Sequence, residues 1–150
     1  MARIEASVQI AAKPTTVFRF CHNLDHRPEW DGRVVGIELV TPPPVRRGSL
    51  VRIDAGRWGR FLFTWDAEYT SYHLPSGSTL KVLDVAPSSP FESGAEKWAF
   101  SQSGAGTRFT LTWEYQPRGI IARIADALGR RRATRNAIRR SLNKLKALIE

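Results

Sequence analysis

Cysteine is almost missing from this chain. Cys21 is the only one in 150 residues, which excludes an internal disulfide framework or a multi-cysteine zinc or iron–sulfur site and suits a reducing compartment. No apolar run approaches the roughly 18 residues needed to span a membrane. The opening Met1-Ala2-Arg3-Ile4-Glu5 lacks the apolar centre of a secretory signal, so a cytoplasmic protein is expected. Walker loop, dinucleotide fingerprint and nucleophile elbow are all wanting. His22, His26 and His73 fall in different segments at no metal-ligand spacing and read as surface or loop residues, so neither metal nor cofactor is expected. Acidic residues are scarce in one region only. Residues 118–150 hold ten Lys and Arg against Asp126 and Glu150, a net +8 out of the chain's +9, while the first 117 residues are nearly balanced. A coat of charge confined to one segment is not the pattern of a general polyanion binder.

What the chain does contain is the composition of one ordinary globular domain over 1–150, 42% hydrophobic and 25% charged. At this length it buries enough surface to fold without a staple. Ile4, Ala6, Val8 and Ile10 alternate with Glu5, Ser7 and Gln9, which marks a half-buried strand. Pro14 then opens a short helix carrying Val17, Phe18 and Cys21, and Asp25 can cap a second brief one that ends near Trp30. The apolar run Val34 to Val40 begins a new strand. Further strands follow at about 49–55, 60–72, 78–85, 93–101 and 107–116, separated by Gly- and Pro-rich turns, as an antiparallel meander. Phe61, Phe63, Trp65 and Tyr69 share one parity, as do Phe109, Leu111, Trp113 and Tyr115, so one face of the sheet is aromatic and the other wet. From Ile120 to Ile149 the chain reads as one long helix, in which Gly129 is the site where a kink would fall.

The order β, α, α, six β, α resembles the START-like superfamily, also called Bet v 1-like or SRPBCC, and within it the polyketide cyclase/dehydrase group. The likeness spans the chain and rests on Ala-Ala-Lys-Pro leading into Val17-Phe18, Pro28-Glu29-Trp30-Asp31, Val45-Arg46-Arg47-Gly48-Ser49, Gly106 to Tyr115, and Ser141 to Lys146. It implies an α+β helix-grip fold: a curved seven-stranded antiparallel sheet around a long C-terminal helix, with two short helices after the first strand. It further implies a cavity for a small hydrophobic ligand such as a lipid, isoprenoid or polyketide. Members either carry such molecules or cyclise polyketides, so an aromatase/cyclase or dehydratase is the alternative to a carrier.

Beside that resemblance stands a physical expectation, since a curved aromatic sheet spanned by one helix leaves space that Phe61, Phe63, Trp65, Tyr69, Trp98 and Trp113 would line. Ordinary core packing is the competing reading for each ring. A straight helix would point Ile124, Leu128, Ile138, Leu142 and Leu145 inward and set Arg131 and Arg135 on the same stripe, as an anchor for an anionic ligand group. A kink at Gly129 would instead turn both arginines into water. In the resembled fold the cavity opens among end loops, which here hold Trp58 and Phe91, either as an apolar gate or as cover for the sheet edge. The basic helix suits weak contact with an anionic membrane. The absence of aromatics among its charges disfavours nucleic acid. Monomer and homodimer stay open.

Overall fold

The computed structural model describes residues 1–57 and 60–150. Strand β1 (Ala2–Ile10) buries Ala2, Ile4, Ala6 and Ile10 and leaves Arg3, Glu5 and Ser7 in water, as its alternation requires. Helix α1 (Pro14–His22) starts at a proline, whose missing N–H costs nothing in a first turn, and buries Val17, Phe18, Cys21 and His22. A single 3₁₀ turn, Leu24–His26, leads into α2 (Arg27–Trp30). Six strands follow: β2 (Val34–Leu39), β3 (Leu50–Arg57), β4 (Arg60–His73), β5 (Gly77–Val85), β6 (Phe91–Ser103) and β7 (Gly106–Pro117). Consecutive strands pair antiparallel from β2 to β7, and β1 closes against β7 with Ile4 opposite Trp113, giving a curled seven-stranded sheet.

The C-terminal segment is helical but not one straight helix. Gly119 (φ 68°) turns the chain sharply from β7 into α3 (Gly119–Ala125), a conformation that favours glycine. A wide turn, Asp126–Arg130, follows, in which the Arg131 N–H reaches back five residues to the Asp126 carbonyl and Gly129 leaves helical torsion. Helix α4 (Arg131–Ile149) then buries Ile138, Ser141, Leu142 and Leu145 against the sheet, mainly along β1.

The wide turn adds about one residue to the helical count and so rotates everything on one side of it by about 100° relative to the other. This is why the straight-helix expectation holds for Ile138, Leu142 and Leu145 and fails for two others. Ile124 is 54% exposed and Leu128 82% exposed. No helix among the described residues is long and apolar enough to cross a membrane.

Candidate functional site

Between the sheet and the α3–α4 corner lies a cavity of about 780 Å³. Its sheet wall is aromatic and orderly. Phe91 sits at the centre, with its ring edge-on to Phe63, Trp65 and Trp113 at centroid distances of 5.6, 6.0 and 5.1 Å. Edge-to-face contacts of this kind fix the rings without requiring them to fill the space in front of them. Gly94 allows the Trp113 indole to lie flat on β6, because a Cβ there would come within 2.7 Å of the ring. The helical wall is the opposite in character. Ala122, Thr134 and Ala137 face the cavity, all small, together with Asp126 and Arg130.

Two polar assemblies bound this apolar space. The inner one joins α2 to β6. Buried Asp31 accepts from Arg27 Nε (2.9 Å), from Arg33 Nε and Nη2 (3.1 and 3.0 Å) and from the Arg33 backbone N–H (3.1 Å). Glu96, also buried, accepts from Arg27 Nη2 at 3.1 Å and Arg33 Nη2 at 2.7 Å. Two guanidiniums thus neutralise two carboxylates, which is the condition for keeping such charges out of water. Burial alone would raise the Asp31 carboxyl, but Arg33 and Arg27 outweigh it and hold it well below the usual carboxylate range. The Arg27 guanidinium lies 4.6 Å over Trp98 and 5.3 Å from the Trp30 ring, a further attraction in a site closed to solvent. Arg27, Arg33 and Glu96 all show a surface to the cavity.

The second assembly ties the wide turn to the sheet. The Tyr115 hydroxyl donates to one oxygen of buried Asp126, and Arg131 holds the other from Nε and Nη2 at 2.8 and 2.7 Å. Burial and this bond to a carboxylate push the Tyr115 phenol well above its ordinary value, so it stays a hydrogen-bond donor.

Of the residues proposed from sequence, Phe63, Trp65, Phe91 and Trp113 line the cavity. Phe91 is 8% exposed and forms part of the cavity wall as the first residue of β6, not a loop residue, while Trp58, its partner in the suggested gate, lies outside the described residues. Phe61 does not line the cavity: a bulge inserts Leu62 between Phe61 and Phe63, opposite Gly56 and Ala55, so Leu62 takes the cavity side and Phe61 is 56% exposed.

Tyr69 and Trp98 are buried but belong to a packed cluster under α1 with His22, Tyr72 and Phe100, because α1 and α2 cover that end of the sheet. His22 is therefore core, not surface. Its Nδ1–H donates to the Phe18 carbonyl at 2.8 Å and its Nε2 accepts from the Ser78 hydroxyl at 2.7 Å. His26 and His73 are solvent-accessible. Ile124, Leu128 and Arg135 do not line the cavity, and Arg131 acts through Asp126.

The residues that reasoning from sequence missed carried signals. Arg27 and Asp31 stand four apart on a short helical segment, and Glu96 shares its strand parity with Trp98 and Phe100. Asp126 is the lone acid inside the basic tail.

The family model for polyketide cyclase/dehydrase and lipid transport matches residues 1–150. Comparison with curated protein sequences gives no match. Among solved structures, a protein of Thermus thermophilus superposes with a TM-score of 0.77 at 20% identity, over 99% of this chain and 97% of its own. The Zhui aromatase/cyclase from a Streptomyces species gives 0.74 at 16%, over 99% and 93%. The major latex-like protein 151 of Panax ginseng gives 0.69 at 13%, over 97% and 95%. These likenesses establish the shared fold.

Proposed function

We propose that this chain, which belongs to the polyketide cyclase/dehydrase and lipid transport family, binds and carries a small hydrophobic molecule of lipid, isoprenoid or polyketide type in the cavity between its sheet and its C-terminal helix. The observation that carries this reading is the mismatch between the two walls. Five aromatic side chains, Phe63, Trp65, Phe91, Trp113 and Tyr115, face the small helical residues Ala122, Thr134 and Ala137 across about 780 Å³, within the roughly 300–1,000 Å³ typical of small-molecule sites. A core that needed filling would have placed Ile124 and Leu128 there.

The Zhui neighbour is named an aromatase/cyclase, and the same cavity could orient a polyketide. Against turnover, the two carboxylates that line the cavity are committed to neighbouring donors: Glu96 to Arg27 and Arg33, Asp126 to Tyr115 and Arg131. A general acid or base must have an oxygen free to meet the bound molecule, and the Glu96 and Asp126 carboxylates already accept from Arg27, Arg33, Tyr115 and Arg131. Carriage is therefore the favoured reading, with cytoplasmic residence proposed on the strength of lone, buried Cys21.

The test is titration with a fluorescent apolar probe such as 1-anilinonaphthalene-8-sulfonate, read through quenching of Trp65 and Trp113. Saturable binding that Trp113→Ala weakens supports the cavity as the site. Equal binding by wild type and Trp113→Ala would place the probe elsewhere and remove the reading.

A further inference from the structure

Helix α3 has no buried residue, although Ile120, Ile121 and Ile124 make up nearly half of it. They are 74, 85 and 54% exposed, and at 100° per residue they fall on one face of about 100°. Leu128 continues the face into the wide turn, and Phe61 and Leu62, 56 and 53% exposed, add to the apolar surface on β4. Ala122 of α3 and Leu62 of β4 line the same cavity, so these apolar groups stand on either side of its mouth. Contiguous exposed hydrophobic surface of this kind marks an interaction site in a stable protein.

The charges around it select the partner. Arg123, Arg130 and Arg132 are exposed beside the α3 face. Across the mouth, Arg57 and Arg60 occupy directly opposed positions in the β3–β4 register, where like charges repel unless an anion offsets them. Arg57, Arg60 and Arg130 all border the cavity opening. A second copy of this chain would bring two such basic rims together. An extended anionic surface that also accepts apolar side chains satisfies both features at once.

We propose that the exposed face of α3 and Leu128, with Phe61 and Leu62 opposite and the arginines Arg57, Arg60, Arg123 and Arg130 around them, docks on an anionic lipid bilayer and seats the cavity mouth at the membrane. Ile120, Ile121, Ile124 and Leu128 enter the headgroup boundary, as the apolar face of an interfacial helix does, while the arginines meet lipid phosphates. Docking is separable from filling the cavity, since α3 turns Ala122 inward and its isoleucines outward.

The experiment is co-sedimentation of the full chain with vesicles of phosphatidylcholine alone and of phosphatidylcholine mixed with phosphatidylserine, at low and physiological ionic strength. Binding is expected to the mixed vesicles, to fall with salt, and to drop about fivefold for each arginine replaced by glutamine among Arg57, Arg123 and Arg130. The variant Ile120→Gln/Ile121→Gln/Ile124→Gln/Leu128→Gln, which keeps helix formers and charge, should lose most of the binding while retaining the wild-type melting temperature and uptake of the apolar probe from solution.

Failure to bind mixed vesicles at low salt, or binding unaffected by the four glutamines, overturns the proposal. So does a dimer in sedimentation velocity that those glutamines dissolve, since the face would then belong to a second copy. Loss of probe uptake in the wild type would count against the cavity reading and leave docking to be judged by the vesicles alone.

Discussion

His22 makes acid sensitivity a sharp test of the packed end of the fold. Desolvation lowers its imidazole from 6.5 to about 4, against the opposing bond to the Phe18 carbonyl, with Arg27 adding a smaller push in the same direction. Tyr69, Tyr72 and Trp98 also face the ring and bring no opposite charge. A folded imidazole that resists protonation means that the unfolded chain binds the extra proton. Stability therefore falls as pH drops below 6.5, and the loss from this group is complete once pH passes about 4.

Between pH 7 and pH 5, that linkage amounts to about 2 kcal/mol for this one residue. With a urea slope of about 2 kcal/mol per molar for a chain of this size, the unfolding midpoint should move down by about 1 M. His22→Gln can still donate to Phe18 and accept from Ser78 but cannot titrate. It should be less stable at pH 7 and should show little further loss at pH 5. Urea denaturation of both proteins at the two pH values measures this. Equal midpoint shifts in wild type and His22→Gln, or an imidazole that titrates near 6.5 in an NMR experiment, would refute the reasoning.

Three further outcomes follow from the packing. Asp31→Asn leaves two guanidiniums facing one carboxylate and should cost about 3–5 kcal/mol at neutral pH in chemical denaturation. Because the Asp31 carboxyl is held low, its contribution is present above the ordinary carboxylate range and is lost as pH falls below it, so the variant's deficit should shrink in strong acid. Leu142→Ala removes a side chain only 1% exposed and should cost about 2–5 kcal/mol by the same assay. Gly94→Ala puts a methyl 2.7 Å from the Trp113 ring and 2.8 Å from the Glu114 carbonyl oxygen. It should destabilise by about 1–3 kcal/mol and weaken binding of the apolar probe by pushing the indole into the cavity.

The strands were legible because a period of two survives in them: Ile4, Ala6 and Ile10, or Phe109, Leu111 and Trp113, read inward from parity alone. Parity fails where a bulge adds a residue, and that is why Leu62, not Phe61, reaches the cavity. The helical stripe fails for the same kind of reason, one extra residue in the turn at Asp126–Arg130. The ion network was harder to see, because its members come from α2, the loop after it and β6, and only the closing of the sheet brings Glu96 to Arg27 and Arg33. The sequence offers Arg131 either as an anchor for an anion or, beyond a kink at Gly129, as a solvated residue. Its anion is the protein's own Asp126.

That wide turn has two effects that belong together. Had the helix run straight through Gly129, the register that buries Ile138, Leu142 and Leu145 in α4 would have carried a matching set of large apolar residues over the aromatic wall. With the extra residue, the positions facing Phe63, Phe91 and Trp113 are Ala122, Asp126, Arg130, Thr134 and Ala137, too small or too polar to close the space. The displaced hydrophobic side chains, Ile124 and Leu128, point outward instead and join Ile120 and Ile121. Asp126 secures the arrangement, since its bonds to Tyr115 and Arg131 fix the phase of the corner against the sheet. A cavity within and apolar exposure without are thus two consequences of a single change of helical register. A chain selected only for stability would gain by reversing it; a chain that must admit an apolar molecule and dock on a membrane would keep it.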